Sequence, residues 1–388
     1  MTDDAEGQPL AGLKVLELGS SLAGPFAART LADLGAEVIK VEPPEVGDPA
    51  RGWGSETLGG VSPAFQSFNR NKRSITADFT SGEDIAALQA LMADGIDVVL
   101  QNLRPGVADR FGIGAEWATA HNPRLIYCNI GAFGGYGPMQ TLPGYDPLMQ
   151  GFSGIAAATG DENSGPVRVG VPIIDIGTGM WATIGILAAL QRRERTGRGG
   201  VVDTSLLETA MAWQTLNFAI YEASGETPRR MGLRGPVIVP NAGYDTADGK
   251  LMIVVGTDRQ FRAFCNAIGR PELADDERFA RNDGRWTHEP VLNAEITDTL
   301  MTAPRAHWAA KLDAAGVPNA PIQDVGEASR HPQVEAGGQL QASPDGGFRL
   351  IGPPLRFDGV RPPFRQPAPQ LGEATRQVFS RLHERSGT

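Results

Sequence analysis

Cysteine is nearly absent. Cys128 and Cys265 are the two thiols in 388 residues. Each lies in an apolar stretch (LIYCNI and FRAFCNAIG) and neither belongs to a C-x-x-C pair. That excludes a disulfide framework and a thiolate zinc site, and it fits buried thiols in a reducing, cytoplasmic setting. Histidine is sparse too: residues 121, 288, 307, 331 and 383 are scattered, and none makes a metal-ligand spacing. No metal site is expected. There is no G-x-S-x-G elbow and no H-E-x-x-H motif, which leaves a carboxylate as the candidate nucleophile or base. Positive charge is in deficit. A formal net charge of −10 argues against non-specific binding to nucleic acid or to an anionic membrane, so a basic cluster here is expected to meet one particular anion. The opening residues, MTDDAEGQPLAG, lack the basic and apolar regions of a signal peptide. Long apolar runs are limited to Val171–Leu190, which holds an acid, Asp175, and three glycines. It reads as a buried core helix with its approach strand, not as a membrane span.

What is present is an ordinary globular composition, 41% apolar and 21% charged, in a chain long enough for two domains. The first third alternates strands and helices. LKVLEL (13–18), EVIKVE (37–42), DVVLQN (97–102), RLIYCNI (124–130) and VVDTSL (201–206) read as strands. AGPFAARTLADLG (23–35) and the Ser81-capped DIAALQALMAD read as helices. This alternation implies an α/β fold with a parallel sheet, whose ligands bind at the carboxyl ends of the strands. Composition shifts to Gly, Pro and Arg near 223–245, a linker into a smaller α/β domain over 246–325. Residues 1–222 form the large domain, and 326–388 return to it.

Five places carry candidate chemistry. The turn Gly19-Ser20-Ser21-Leu22-Ala23-Gly24-Pro25 sits where a dinucleotide loop would sit, with Glu42 ending the next strand. Its spacing is not G-x-G-x-x-G, and a turn needing small residues for packing explains it equally well. Two basic clusters follow: Arg70, Lys72 and Arg73 in NRNKRS before a strand, and Arg104 and Arg110 in NLRPGVADR after one. On a shared sheet edge they would cradle a phosphorylated small molecule. Tyr145-Asp146 is a polar point between Pro143-Gly144 and Pro147, where a plain turn is the alternative. Asp175 stands between isoleucines ahead of Gly177-Thr178-Gly179. It is either the N-cap of the helix behind it or an acid retained for reactivity in apolar surroundings.

Taken together, the segments LAGLKVLELG, AGPFAARTLADLGAEVIKVEPP, FQSFNRNKRSI, NLRPGVADRFGI, GYDPLMQGFSGIAAATG, the Asp175 stretch through TGRG, and AAGVPNAPI resemble the class III CoA-transferases in order and along the whole chain. That group also holds α-methylacyl-CoA racemase. The resemblance implies a Rossmann-like large domain built from both chain ends plus a small domain, in an interlocked homodimer. It implies that Asp175 is the covalent nucleophile that moves CoA from an acyl-CoA to a carboxylic acid. No tightly bound cofactor is implied; coenzyme A enters as substrate. By position, Asn71, Lys72, Arg73, Asn102, Arg104 and Arg110 match CoA-binding segments. Leu22 and Ala23 match the loop over the cofactor, and Tyr145 and Asp146 line its pantetheine end. Racemisation is the alternative, but racemases of the group carry histidine where this chain has Tyr145, and proton transfer on two faces needs two groups titrating near neutrality. The glycine run that covers the site in formyl-CoA transferases is missing from GPVIVPNAGYDTADG.

Overall fold

The computed structural model describes residues 7–386; the acidic residues 1–6 lie outside the described residues, as does the side chain of His383. Contacts divide the chain into two units. One comprises the residues up to 155, 168–227 and those from 332 onward; the other comprises 156–167 and 228–331.

The larger unit is organised by β1 (Lys14–Leu18), α1 (Ala23–Asp33), β2 (Glu37–Glu42), α2 (Pro63–Asn69), β3 (Lys72–Thr76), α3 (Gly82–Ala93), β4 (Val98–Gln101), α4 (Val107–Arg110), α5 (Ala115–His121) and β5 (Ile126–Gly131). It continues with α6 (Asp146–Phe152), α8 (Ile173–Thr196), β6 (Gly200–Ser205), α9 (Leu206–Trp213) and α10 (Thr215–Ser224); the short α7 (Ile155–Ala158) lies at the boundary where the chain passes into the smaller unit. The six strands pair in parallel in the order β3-β2-β1-β4-β5-β6. Strand order reverses between β1 and β4, so the loops leaving these two strands diverge and open a crevice at their carboxyl ends. Period-two alternation decides the faces. Val98, Leu100, Ile126 and Cys128 point to a core shared with α1 and α8, and Val99, Leu125 and Tyr127 point to a core under α3 and α5.

The apolar run 171–190 departs from expectation. Helix begins at Ile173, with Pro172 in the N-cap position, and there is no approach strand. The three glycines sit inside the helix, where they allow close packing. A Cβ on Gly179 would lie 2.8 Å from the Ala23 carbonyl oxygen, one on Gly177 2.9 Å from Thr209, and one on Gly185 2.6 Å from Val202. The run is long and apolar enough to cross a membrane by composition, yet its small-residue face packs on α1 and on β5 and β6. Its other face leaves Met180, Trp181 and Ile184 exposed, so it is two-sided and not wholly buried.

The smaller unit holds an antiparallel sheet of β7 (Asn241–Thr246), β8 (Gly249–Val254) and β9 (Asn319–Pro321). Six helices accompany it: α11 (Asp258–Ala267), α12 (Glu272–Asp275), α13 (Asn282–Thr287), α14 (Glu289–Leu300), α15 (Arg305–Ala314) and α16 (Val325–Ser329). Phe261, Phe264, Phe279, Leu292, Ile296 and Leu312 fill its core. Residues 241–245, read from composition as linker, are strand. Ala242 and Tyr244 alternate inward, a period-two signal hidden by the glycine between them and the aspartate after them. The last segment belongs to the larger unit and contributes α17 (Pro332–Ala336), the antiparallel pair β10 (Leu340–Ala342) and β11 (Arg349–Ile351), and α18 (Thr375–Ser386).

Candidate active site

Asp175 is the third residue of α8, so it is not the helix cap. Another carboxylate does that work. Asp146, buried at the start of α6, accepts the backbone N–H of Ile174 at 2.7 Å and that of Asp175 at 3.2 Å through Oδ2. Its Oδ1 accepts from Gln150 Nε2 at 2.6 Å, and Gln150 Oε1 in turn accepts the N–H of Val169 at 2.8 Å. The chain entering α8 is therefore held from one turn of α6. The helix-start amides, which would favour an anion, are spent on Asp146. Asp175 is left without that support. Burial, then the negative charge on Asp146, pushes its carboxyl up to about 7. Near neutral pH it is therefore poised between its two forms.

Asp175 opens on a cavity of about 420 Å³ in the larger unit. Three loops at the carboxyl ends of the strands build the walls, the one after β5 from both of its ends. Ser20, Ser21, Leu22 and Ala23 follow β1; Asn102, Leu103, Arg104 and Pro105 follow β4. Ile130, Gly131 and Ala132 end β5, and Leu142 to Tyr145 lead into α6. Trp53 and Leu206 complete the lining. The amino end of α1 reaches this wall at Ala23, and its N-cap residue, Leu22, supplies no side-chain acceptor. Arg104 is exposed, and no carboxylate pairs with it among the described residues. Tyr145 is 64% exposed. Among the described residues no histidine lines the cavity, and no group of three metal-ligating side chains occurs.

Of the residues singled out from sequence, Leu22, Ala23, Asn102, Arg104, Tyr145 and Asp175 meet at this cavity. Asp146 stands behind its wall, as the cap of α8. The two basic clusters do not share an edge. In a parallel sheet the beginning of β3 and the end of β4 lie on opposite sides, and Lys72 and Arg73 are already inside β3. Lys72 is fully buried. It ion-pairs with Glu17 at 2.7 Å and donates to Asn69 Oδ1 and to the Pro25 carbonyl. Asn71, at φ +62°, accepts the N–H groups of Arg365 and Gln366 and donates to Asp33, while Arg70 forms a buried bidentate pair with Asp33. These residues fasten the returning C-terminal segment. Arg73 pairs with Glu37, and Arg110 stacks on Phe111 away from the cavity. Glu42, standing where a ribose-binding acid would stand, is consumed by Arg51 and Ser74.

Trp53 escaped the sequence reading. It sits in an irregular loop with no periodicity, and only its size in the run RGWG sets it apart.

A profile of CoA-transferase family III matches residues 10–375. The acetyl-CoA:oxalate CoA-transferase of Acetobacter aceti is 38% identical, over 96% of each chain. The succinate–glutarate CoA-transferase of Agrobacterium fabrum is 37% identical, over 98% of each. The crystal structure of a CAIB/BAIF family protein from Brucella suis superposes with a TM-score of 0.87 at 38% identity, covering 97% of this chain and 99% of that one.

Proposed function

The chain belongs to CoA-transferase family III, and from that premise we propose that Asp175 carries the acyl group and then CoA as covalent intermediates. The observation that supports this is a single carboxylate, raised to about 7, facing a cavity that Arg104 and the amino end of α1 also line.

In the first step an Asp175 oxygen attacks the thioester carbonyl, the C–S bond breaks, and a mixed anhydride and CoA thiolate result. The thiolate attacks the aspartyl carbonyl, which expels the donor as a carboxylate and leaves an aspartyl-CoA thioester. The acceptor carboxylate attacks that thioester and releases thiolate again. The thiolate then takes the acceptor acyl group from the second anhydride and restores Asp175. No net proton moves, and each intermediate lies near a thioester in energy, so one hard exchange becomes balanced steps. Burial suits the carboxylate to attack by stripping water from the anion. Arg104 would meet phosphate charge on the nucleotide portion of coenzyme A. Leu22, Ala23 and Asn102 would border the thioester limb, with Tyr145 opposite. Racemisation would require a second group titrating near neutrality, and among the described residues no histidine lines the cavity.

The acceptor is proposed to be a short dicarboxylic acid, since relatives at 37–38% identity carry oxalate, succinate and glutarate in their names. The working species is proposed to be a homodimer. Met180, Trp181 and Ile184 on α8 are exposed, as are Met211 and Trp213 on α9 and Leu216, Phe218 and Tyr221 on α10. Large apolar side chains exposed along three consecutive helices suit a face that meets a second copy of the chain. A cytoplasmic setting fits two buried free thiols.

The test is intact-mass and peptide mass spectrometry after incubation with acetyl-CoA or succinyl-CoA, with oxalate or glutarate as acceptor. An acyl or CoA adduct on the Asp175 peptide, absent from Asp175→Ala together with all exchange, is the expected result. An Asp175→Ala variant that still exchanges CoA overturns the assignment.

A further inference from the structure

The loop that faces Asp175 is held from below by buried charge. Lys40, in the middle of β2, is completely buried. Its Nζ donates to the Gly19 carbonyl at 2.7 Å and ion-pairs with Glu17 at 3.2 Å and with Asp48 at 2.8 Å. Asp48, also buried, turns its other oxygen to the N–H of Ser21 at 3.1 Å and to that of Ala50 at 2.9 Å. Ser21 has φ +68°, a left-handed conformation that serine rarely adopts unaided. Two further grips complete the hold. The Asn102 side chain accepts the Ser20 N–H and donates to the Ser20 carbonyl, both at 2.9 Å. Lys72 donates to the Pro25 carbonyl at 3.0 Å and shares Glu17 with Lys40. From Gly19 to Pro25 the backbone is thus tied at Gly19, Ser20, Ser21 and Pro25, and of the three residues between the last two ties, Leu22 and Ala23 line the cavity.

We propose that Lys40 and Asp48 are positioning residues for the transfer reaction: their buried ion pair forces Ser21 into the left-handed conformation and so presents the amino end of α1 to the acyl group on Asp175. Geometry and chemistry converge on this role. A lysine and an aspartate without access to water are costly to retain unless each is fully partnered. Here the third bond of each goes not to another side chain but to the backbone of one loop. Strained residues persist where the surroundings over-determine them, and three neighbouring segments do so here: β2, the loop after it, and the loop after β4. A displacement of the reacting groups by about 1 Å is enough to slow an enzyme roughly a hundredfold.

The inference rests on the transfer reading, and its test separates the two. Asp48→Ala and the isosteric Asp48→Asn are compared with wild type by hydrogen exchange of the peptide spanning 19–25 and by exchange kinetics with succinyl-CoA and glutarate. The expected result is exchange in that peptide at least several-fold faster, with the peptide at the start of α8 unchanged. With it, kcat falls at least tenfold for Asp48→Ala and less for Asp48→Asn, and KM changes little. Adding Ser21→Gly should return part of the lost kcat, because glycine enters the left-handed region freely; a purely structural loss would not recover. Should Asp48→Ala fail to fold, Asp48→Asn decides by the same measurements. Unchanged exchange in 19–25, or a kcat loss that Ser21→Gly leaves untouched, overturns the proposal. Wild-type inactivity toward these substrates would count against the substrate assignment, while the hydrogen-exchange result still decides the role of the ion pair.

Discussion

Asp146 Oδ2 lies 3.2 Å from the backbone nitrogen of Asp175, so one buried carboxylate caps the helix that carries the other. The cap and the charge are separable. Asp146→Asn keeps an oxygen to accept the Ile174 and Asp175 N–H groups but removes the negative charge that helps raise Asp175. The wild-type rate with an acyl-CoA donor, measured as kcat/KM against pH, should be flat above about pH 8. It should fall tenfold per unit well below pH 7, as Asp175 takes up its proton. In Asp146→Asn that limb should move to lower pH. Asp146→Ala loses the cap as well and should cost about 1–2 kcal/mol of stability in urea unfolding. An acid limb that stays in place in Asp146→Asn would show that the pair is not coupled.

A carboxyl raised on folding binds its proton more tightly in the native chain than in the unfolded one. Between about pH 4 and pH 7 the native state therefore holds the extra proton, and stability falls as pH rises through that window. Above pH 7 the full penalty of an ionised Asp175 is present. Asp175→Asn removes it. The variant should be more stable than wild type by about 1–3 kcal/mol at pH 8, a range reduced to allow for the opening of the residue onto the cavity, and indistinguishable at pH 4. Urea unfolding at the two pH values measures the difference. Equal stabilities at pH 8 would contradict the raised value.

Much of the larger unit was readable because its strands are short apolar runs with small-residue turns behind them. Such turns place Leu22, Ala23, Asn102 and Arg104 at strand ends without any knowledge of the fold. Three features resisted. Lys72 and Asn71 look like surface residues in a basic run, and only their distant partners Glu17, Asp33 and Gln366 turn them inward. The start of α8 was hidden because Val171-Pro172-Ile173-Ile174 has the composition of a strand, while its cap comes from Asp146, 28 residues earlier than Ile174. Trp53 lies on a loop whose path is set by contacts, not by periodicity. In each case the missing information is tertiary.

Arg104 stands exposed on the cavity rim, without a carboxylate partner among the described residues. A guanidinium in that state is free to meet a phosphate, and an exposed charge pair contributes about 0.2–1 kcal/mol, more where the contact is bidentate. Arg104→Met should raise KM for the acyl-CoA about three- to tenfold and leave kcat within twofold. The defect should shrink as salt is raised, since screening weakens the wild-type contact first. A kcat loss with unchanged KM would place Arg104 in the chemistry and not in binding.

Gly179 faces the first turn of α1 so closely that a side chain cannot be added without moving backbone. Its Cβ would fall 2.8 Å from the Ala23 carbonyl oxygen and 3.2 Å from the Ala27 nitrogen. Ala23 lines the same cavity as Asp175, which lies one turn earlier on α8. Gly179→Ala therefore sets two effects against each other. Alanine favours helix by about 1 kcal/mol over glycine, while overpacking a fixed contact costs about 1–3 kcal/mol. The contact is with main chain, which cannot swing aside as a flexible side chain would, so the second effect wins. The variant should lose about 1–2 kcal/mol in urea unfolding, and its kcat should fall more than its KM rises, because α1 is pushed away from the reacting carboxylate. Gly185→Ala meets only the Val202 side chain, at 2.6 Å, far from the cavity along the helix. It should lose stability with kcat per folded molecule unchanged. Parallel loss of kcat in both variants would mean that the spacing of α1 and α8 does not govern the site.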